Sequence, residues 1–172
     1  LFNLRIEKES FKECMKDSFD FEKNNYGNTI IKLPLFFVMA VARFNDRGEK
    51  NSKSIDVAFE VNMSDYVQGA GEYVLIGMTL HLGQSYSSGH YTAYVKSLLT
   101  KSFEWFYCDD NLITRIGSDD DLKKRDYRFR VNNLFYVKKE WLDDYLEKKS
   151  RESSLEKLSY SLQRIAVNEL FS

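Results

Sequence analysis

Through the middle of this 172-residue chain, apolar side chains recur at every second position, and that period restricts the fold more than any other feature. Alternation of this kind belongs to half-buried strands. The runs "FFVMAVARF" (36–44), "SIDVAFEVN" (54–62), "EYVLIGMTLHL" (72–82), "HYTAYVKS" (90–97), "FEWFYCDD" (103–110) and "NLFYVKK" (133–139) each read as a strand. Between them, "NDRGEKNSK", "VQGAG" and "GQSYSSG" carry the Gly, Asn, Asp and Ser of turns. Short strands joined by such turns predict an antiparallel sheet. After Val137 the period becomes helical, with Trp141, Leu142, Tyr145 and Leu146 on one face. "SRESS" then interrupts, and Ser153 with Glu156 forms a capping box before Leu155, Leu158, Leu162, Ile165 and Ala166. The tail is expected to be two helices, or one broken helix. The first thirty residues are charged and weakly patterned.

Composition removes several function classes. A net charge of -1 and a pI near 6.2 supply no basic field for a phosphate backbone, so nucleic acid is not an expected partner. The longest apolar run, "LPLFFVMAVA" (33–42), is far short of the roughly 20 residues a membrane helix needs, so no membrane partner is expected either. Two cysteines, Cys14 and Cys108, give neither a metal-type spacing nor a disulfide framework. That usage suits a reducing compartment, cytoplasmic or nuclear. The length fits one domain, and a first residue of Leu1 suggests a segment of something longer.

One of the two histidines, His90, follows the Ser/Gly stretch and opens an alternating strand. A hairpin centred between Leu99 and Thr100 sets His90 opposite Asp109, with Thr92, Tyr94, Tyr107 and Trp105 on the same face. Strict alternation sends Asp110 and Cys108 to the other face. A carboxylate opposite an imidazole fixes its tautomer and stabilises its protonated form, which is the second half of a nucleophile–base–orienter triad. A His and an Asp on neighbouring strands also make ordinary surface hydrogen bonds. The small residues before His90, which let a peptide approach the backbone closely, favour the catalytic reading.

The stretches "GEYVLIGMTLHLGQSYSSGHYTAYVK", "WFYCDDNLITRI" and "LFYVKK" resemble the histidine box and the end of the catalytic domain of the ubiquitin-specific proteases. "LPLFFVMAVARF" resembles the family's Leu-Pro-Pro-x-Leu-x-x-x-Leu-Lys-Arg-Phe segment, with Ala40 and Ala42 in place of the common His and Lys. "VAFEVNMSDYV" resembles the stretch that follows it, and Cys108 stands where Phe usually precedes the Asp pair. Order and spacing agree over residues 30–138.

The resemblance implies an α+β fold: the antiparallel-sheet palm lobe of a papain-like cysteine protease over residues 1–138, with a helical extension over 139–172. His90 would be the general base and Asp109 its orienter, Asp110 being the less favoured choice. Gly83, Gln84, Ser85, Ser87, Ser88 and Gly89 would form a mobile loop over the ubiquitin tail, and Tyr91 an aromatic lining the tail channel. Bulk at Gly89 should then disturb processing but not stability. Ubiquitin, ubiquitinated proteins and the N-terminal half of the same catalytic domain are the implied partners. No cofactor or metal is implied, because the paired cysteines of many relatives' finger regions are absent.

The family's nucleophile lies in a Gly-Asn-Thr-Cys type stretch. Here "YGNTIIKLP" has Ile30 where that cysteine would be, and it reads as a turn. Cys14 sits among charged neighbours on an expected surface helix, and Cys108 on the wrong face of its strand. Two readings follow: half of an active protease whose cysteine lies elsewhere, or a noncatalytic ubiquitin-binding or scaffolding domain of the same fold.

Overall fold

A computed structural model of the chain describes residues 1–85, 87–98 and 103–170, the stretch 155–170 as helical backbone alone. Its centre is one sheet of eight strands: β1 (Phe2–Leu4), β2 (Phe36–Val41), β3 (Glu60–Asn62), β4 (Glu72–Ser85), β5 (Ser88–Lys96), β6 (Trp105–Asp109), β7 (Leu112–Gly117) and β8 (Val131–Lys138). The spatial order is β1-β2-β8-β4-β5-β6-β7, with β3 pairing β4 at the side. Every pairing is antiparallel except β1 with β2. Residues Leu1–Lys139 form one compact unit and Glu140–Ser172 a second. No helix among the described residues is long and apolar enough to cross a membrane.

The alternation that predicts strands is mostly borne out, with one instructive failure. Residues 54–59 alternate because Ile55 and Val57 are buried, yet they form no ladder. Their backbone bonds go singly to distant chain: Ile55 N to Arg128 O at 3.4 Å and Asp56 N to Glu9 O at 3.1 Å. Period-two burial reports an extended chain lying on a core, and only its neighbours decide whether that chain is a strand.

The weakly patterned first thirty residues contain α1 (Phe11–Tyr26). Ser10 caps its start by accepting from Glu13 N, and Gly27, with φ 66, ends it in the left-handed conformation that glycine adopts without strain. The buried stripe is Phe11, Cys14, Met15 and Ser18, at the i, i+3, i+4, i+7 spacing of a helix face. Half of that stripe is Cys and Ser, which hides it from a reading based on apolar types. Ser18 Oγ donates to Cys14 O at 2.6 Å and accepts from Arg5 N at 2.8 Å, so its burial is satisfied. Cys14 is therefore a core residue and not a surface one.

At the other end, α3 (Lys139–Leu170) is a single helix. The expected break at "SRESS" does not occur: Ser153 lies inside α3, and Ser154 Oγ bonds back to Ser150 O at 2.8 Å. Serines that could cap a helix here bond locally within one. The side chain of Glu156 and the expected apolar face from Leu155 onward lie outside the described residues.

Arg43, from the "VARF" stretch, is 1% exposed. Its Nε donates to Val131 O at 2.9 Å and its Nη2 to Arg128 O at 2.5 Å, while Nη1 serves Asn51 O and Lys53 O. Burial pushes its pKa down to about 10, which still leaves a cation at neutral pH. One guanidinium thus ties the end of β2 to the segment before β8 and to residues 51–53.

The second histidine, His81, is 1% exposed and packs edge-on against Phe44 and tilted against Tyr91, with ring centroids 5.5 and 4.8 Å away. It also fills the space beneath two glycines. A Cβ on Gly89 would lie 2.3 Å from His81 Nε2, and one on Gly83 would lie 2.5 Å from Ser88 O. The expectation that Gly89 tolerates bulk is thereby overturned. Gly89→Val must displace a buried ring, so it is expected to destabilise the chain by about 1–3 kcal/mol, read as a lowered melting temperature. An unchanged melting temperature would show that His81 moves aside freely.

Candidate active site

β5 carries Thr92, Tyr94 and Lys96 inward, all buried, and the same face continues to His90 at the open end of the strand. β6 brings Asp109 to it: His90 Nε2 lies 2.5 Å from Asp109 Oδ1, with side chains 46% and 34% exposed. The register differs from the one expected. Tyr94 pairs with Tyr107 and Ala93 with Cys108, so the ladder is shifted by two residues and the hairpin centre falls at residues outside those described. His90 and Asp109 meet on a diagonal and not directly across. A shift of two keeps every side chain on its face, which is why the expected pair still forms.

Asp110 departs from the alternation rule. It begins the two-residue turn between Asp109 and Leu112, with φ 48, a left-handed conformation that Asp tolerates better than most residues. The turn carries its carboxylate back toward the pair, and ligating atoms of His90, Asp109 and Asp110 all lie within 4.8 Å of one another. The expected placement of Asp110 on the opposite face is therefore corrected, since alternation holds within a strand and ends at its turn. Among the described residues these three are the group able to hold a metal ion, and the same arrangement is that of an imidazole held by carboxylates.

The two histidines are driven apart electrostatically. The hydrogen bond to Asp109 holds the His90 imidazole above its ordinary pKa, the charges of Asp109 and Asp110 adding to it against a desolvation that opposes. His81 is held below the ordinary value by burial and by Lys50. The surroundings of His90 thus favour its protonated form and those of His81 its neutral form.

Gly83, Gln84, Ser85, Ser87, Ser88 and Gly89 form the tip of the β4–β5 hairpin, and not a free loop: β4 runs through Ser85 and β5 starts at Ser88. A register irregularity falls between Leu82 and Ser85. Ser85 Oγ lies 2.9 Å from Ser88 Oγ and 3.4 Å from Ser87 Oγ. Lys50, which no local pattern marks, donates from Nζ to His81 O at 3.0 Å and to Gly83 O, tying the hairpin to a turn 31 residues earlier. Tyr91 is 57% exposed and pairs across the ladder with His81, on the face opposite His90.

Neither cysteine has the surroundings of a nucleophile. Cys14 is fully buried, its Sγ bonded to Lys8 O at 3.1 Å, and burial pushes its thiol pKa up. Cys108 is half-buried and pairs with Ala93 and Ile113 on the face away from Asp109. It is a partly exposed residue.

An antiparallel-dominated sheet with a C-terminal helix, presenting a histidine–carboxylate pair at the ends of β5 and β6, is the sheet lobe of a papain-like fold. The ubiquitin carboxyl-terminal hydrolase family model matches residues 2–162, and the chain belongs to that family, the ubiquitin-specific proteases. The match extends into the first thirty residues and into α3, where the motif resemblance fades.

Ubiquitin carboxyl-terminal hydrolase 23 of Arabidopsis thaliana is 30% identical over 115 residues, 64% of this chain and 12% of that protein. Inactive ubiquitin carboxyl-terminal hydrolase 17-like protein 7 of Homo sapiens is 30% identical over 119 residues, 66% of this chain and 21% of that protein. Among solved structures, the Ubp8-Sgf11-Sgf73-Sus1 SAGA DUB module aligns with a TM-score of 0.62 at 26% identity, covering 78% of this chain and 32% of that one. A SAGA DUB module bound to monoubiquitin aligns with a TM-score of 0.61 at 26% identity, covering 78% and 34%. The chain thus spans between about an eighth and a quarter of the curated relatives it matches.

Proposed function

We propose that residues 1–138 are the C-terminal half of a ubiquitin-specific protease catalytic domain, with 139–172 as a helical extension, and that the whole enzyme hydrolyses the bond after the C-terminal glycine of ubiquitin. The observation that carries this reading is the 2.5 Å contact of His90 Nε2 with Asp109 Oδ1. It engages one ring nitrogen and leaves Nδ1 to serve a thiol. His90 takes the Sγ proton as the sulfur adds to the glycine carbonyl carbon, then returns it to the lysine amine as the C–N bond breaks and a thioester forms. The same nitrogen next deprotonates the water that attacks the thioester, and the proton passes to the departing sulfur. Asp109 orients the ring and stabilises the imidazolium. The hairpin tip, on the chain just before His90, borders the ubiquitin tail in this reading, whereas Tyr91 faces the other side of the sheet; the similar DUB module bound to monoubiquitin supports ubiquitin as the ligand.

The nucleophile in this reading lies outside these residues, in the N-terminal half of the domain. A noncatalytic ubiquitin-binding role is the second reading, favoured by the inactive human relative at 30% identity. Retention of both His90 and Asp109 weighs toward the enzyme, because binding alone does not require the pair.

The test follows release of a fluorophore from the ubiquitin C-terminus. The 172-residue chain alone is expected to give no turnover; joined in one chain to an N-terminal half carrying the cysteine, it is expected to turn over and to lose that activity with His90→Ala. No turnover from the joined protein would favour the binding reading. Turnover by the chain alone, abolished by Cys14→Ser or Cys108→Ser, would move the nucleophile into it.

A further inference from the structure

The β4–β5 hairpin loses its regular ladder just where it reaches the candidate site. Pairing is regular from Gly77 with Val95 to Leu82 with His90, and resumes only at Ser85 with Ser88. The backbone of Gly83 and Gln84 falls outside the ladder, and its polar groups need other partners. Half-buried Lys50 serves this stretch, its Nζ donating to His81 O at 3.0 Å and to Gly83 O. The turn that carries Lys50 is itself closed. Asn45 Oδ1 accepts from Glu49 N at 2.9 Å and from Arg47 N at 3.0 Å, Gly48 N donates to Asn45 O at 2.9 Å, and Phe44 pairs with Lys50. Buried Arg43, at its start, reaches Asn51 O beyond its end at 3.2 Å. Glu49 adds a second attachment, an antiparallel bridge to Ser85. A braced turn thus grips the β4 arm at residues 81, 83 and 85, across the whole irregularity. A cation is disfavoured there: burial, and then the charges of Arg43 and Arg130, hold the Lys50 pKa below its ordinary value. What it provides is a pair of charge-assisted bonds, each roughly twice as strong as a neutral one.

We propose that Lys50 is a positioning residue for ubiquitin: by gripping the β4 arm it holds the hairpin tip in the shape that receives the ubiquitin tail. This role rests on the proposed function and adds to it a residue far from the histidine–carboxylate pair in sequence. The grip reaches the β5 arm through backbone contact, since a Cβ at Gly83 would lie 2.5 Å from Ser88 O and 2.9 Å from Gly89 Cα. Arms packed that closely, on glycine, move together. His90 is held separately, by its pairing with Leu82 and by Asp109. Loss of the Lys50 ammonium is therefore expected to weaken ubiquitin binding and to spare the chemical step.

In the protein joined to its N-terminal half, Lys50→Met is expected to raise KM for a ubiquitin C-terminal fluorophore, and Kd for ubiquitin, about tenfold, with kcat changed less than about twofold. Lys50→Gln, which keeps a donor without the charge, should fall between. Lys53→Met is the control: its Nζ donates to Glu7 O at 3.1 Å and not to the hairpin, so KM should stay as it is. In the 172-residue chain, hydrogen exchange in Lys50→Met should quicken at the amides of Gly83 to Ser85 and Ser87 to Gly89, and not at those of β2 or β8. Unchanged exchange at the tip, an unchanged KM, or a fall in kcat as large as the rise in KM would overturn the proposal. So would exchange quickened throughout the sheet, the mark of a residue that only stabilises the fold. Where the unsubstituted joined protein turns over, each of these results sinks the Lys50 role alone; where it neither turns over nor binds ubiquitin, the proposed function fails and the Lys50 role with it.

Discussion

Asp109→Asn, in a protease carrying this segment together with its cysteine, is expected to lower kcat/KM toward a ubiquitin amide on the order of a hundred- to ten-thousand-fold, by analogy with orienting carboxylates in other triads. The 2.5 Å contact to His90 Nε2 is the reason. Asparagine keeps the size and one acceptor oxygen but loses the charge that stabilises the imidazolium, and its amide can hold the ring in the wrong tautomer. Asp110 stands near the same ring but enters only through its charge, so Asp110→Asn is expected to cost less than about tenfold. A larger loss at Asp110 than at Asp109 would assign the orienting role to the turn residue. A second readout needs no cysteine. In the 172-residue chain the His90 pKa, followed by NMR of the ring protons, should fall in Asp109→Asn, because the hydrogen bond that raises it is the largest contribution removed.

Arg43→Met is expected to destabilise the fold by about 3 kcal/mol or more, seen as a lowered urea midpoint at unchanged slope. Methionine replaces most of the volume but none of the donors, so carbonyls of Val131, Arg128, Asn51 and Lys53 lose their partner inside the protein. Arg128→Met is the comparison: its Nε lies 3.5 Å from Asp56 Oδ1, the two side chains being 41% and 78% exposed, and pairs this open to solvent contribute at most about 1 kcal/mol. Similar losses at the two positions would mean that water or a shifted chain serves those carbonyls when Arg43 is gone.

The candidate site was partly legible in the sequence because its main pair sits on strands, where parity is robust. Any register of odd sum puts His90 and Asp109 on one face, so an error of two residues in the hairpin left the pairing intact. Asp110 was not legible for the complementary reason: it is one residue past the strand, where a left-handed turn replaces alternation. β7 is not legible because only two turn residues separate it from β6, too few to show as a break in composition. Lys50 was invisible, its partners being backbone carbonyls of residues 81 and 83 that carry no side-chain signature.

What the sequence by itself determined was the class of element and the chemical pair: period two through the centre, period 3.6 at the end, and an imidazole and a carboxylate of matching parity. These follow from local geometry, in which side-chain direction is fixed by position along the strand or helix. The tertiary structure decided which extended segments became strands, which way the Asp110 carboxylate turned and what lies beneath Gly89. It also decided that α1 forms on a stripe half made of Cys and Ser, and that Arg43 is buried among carbonyls. Each of these depends on a partner tens of residues away, and burial, desolvation and backbone satisfaction exist only once that partner has arrived.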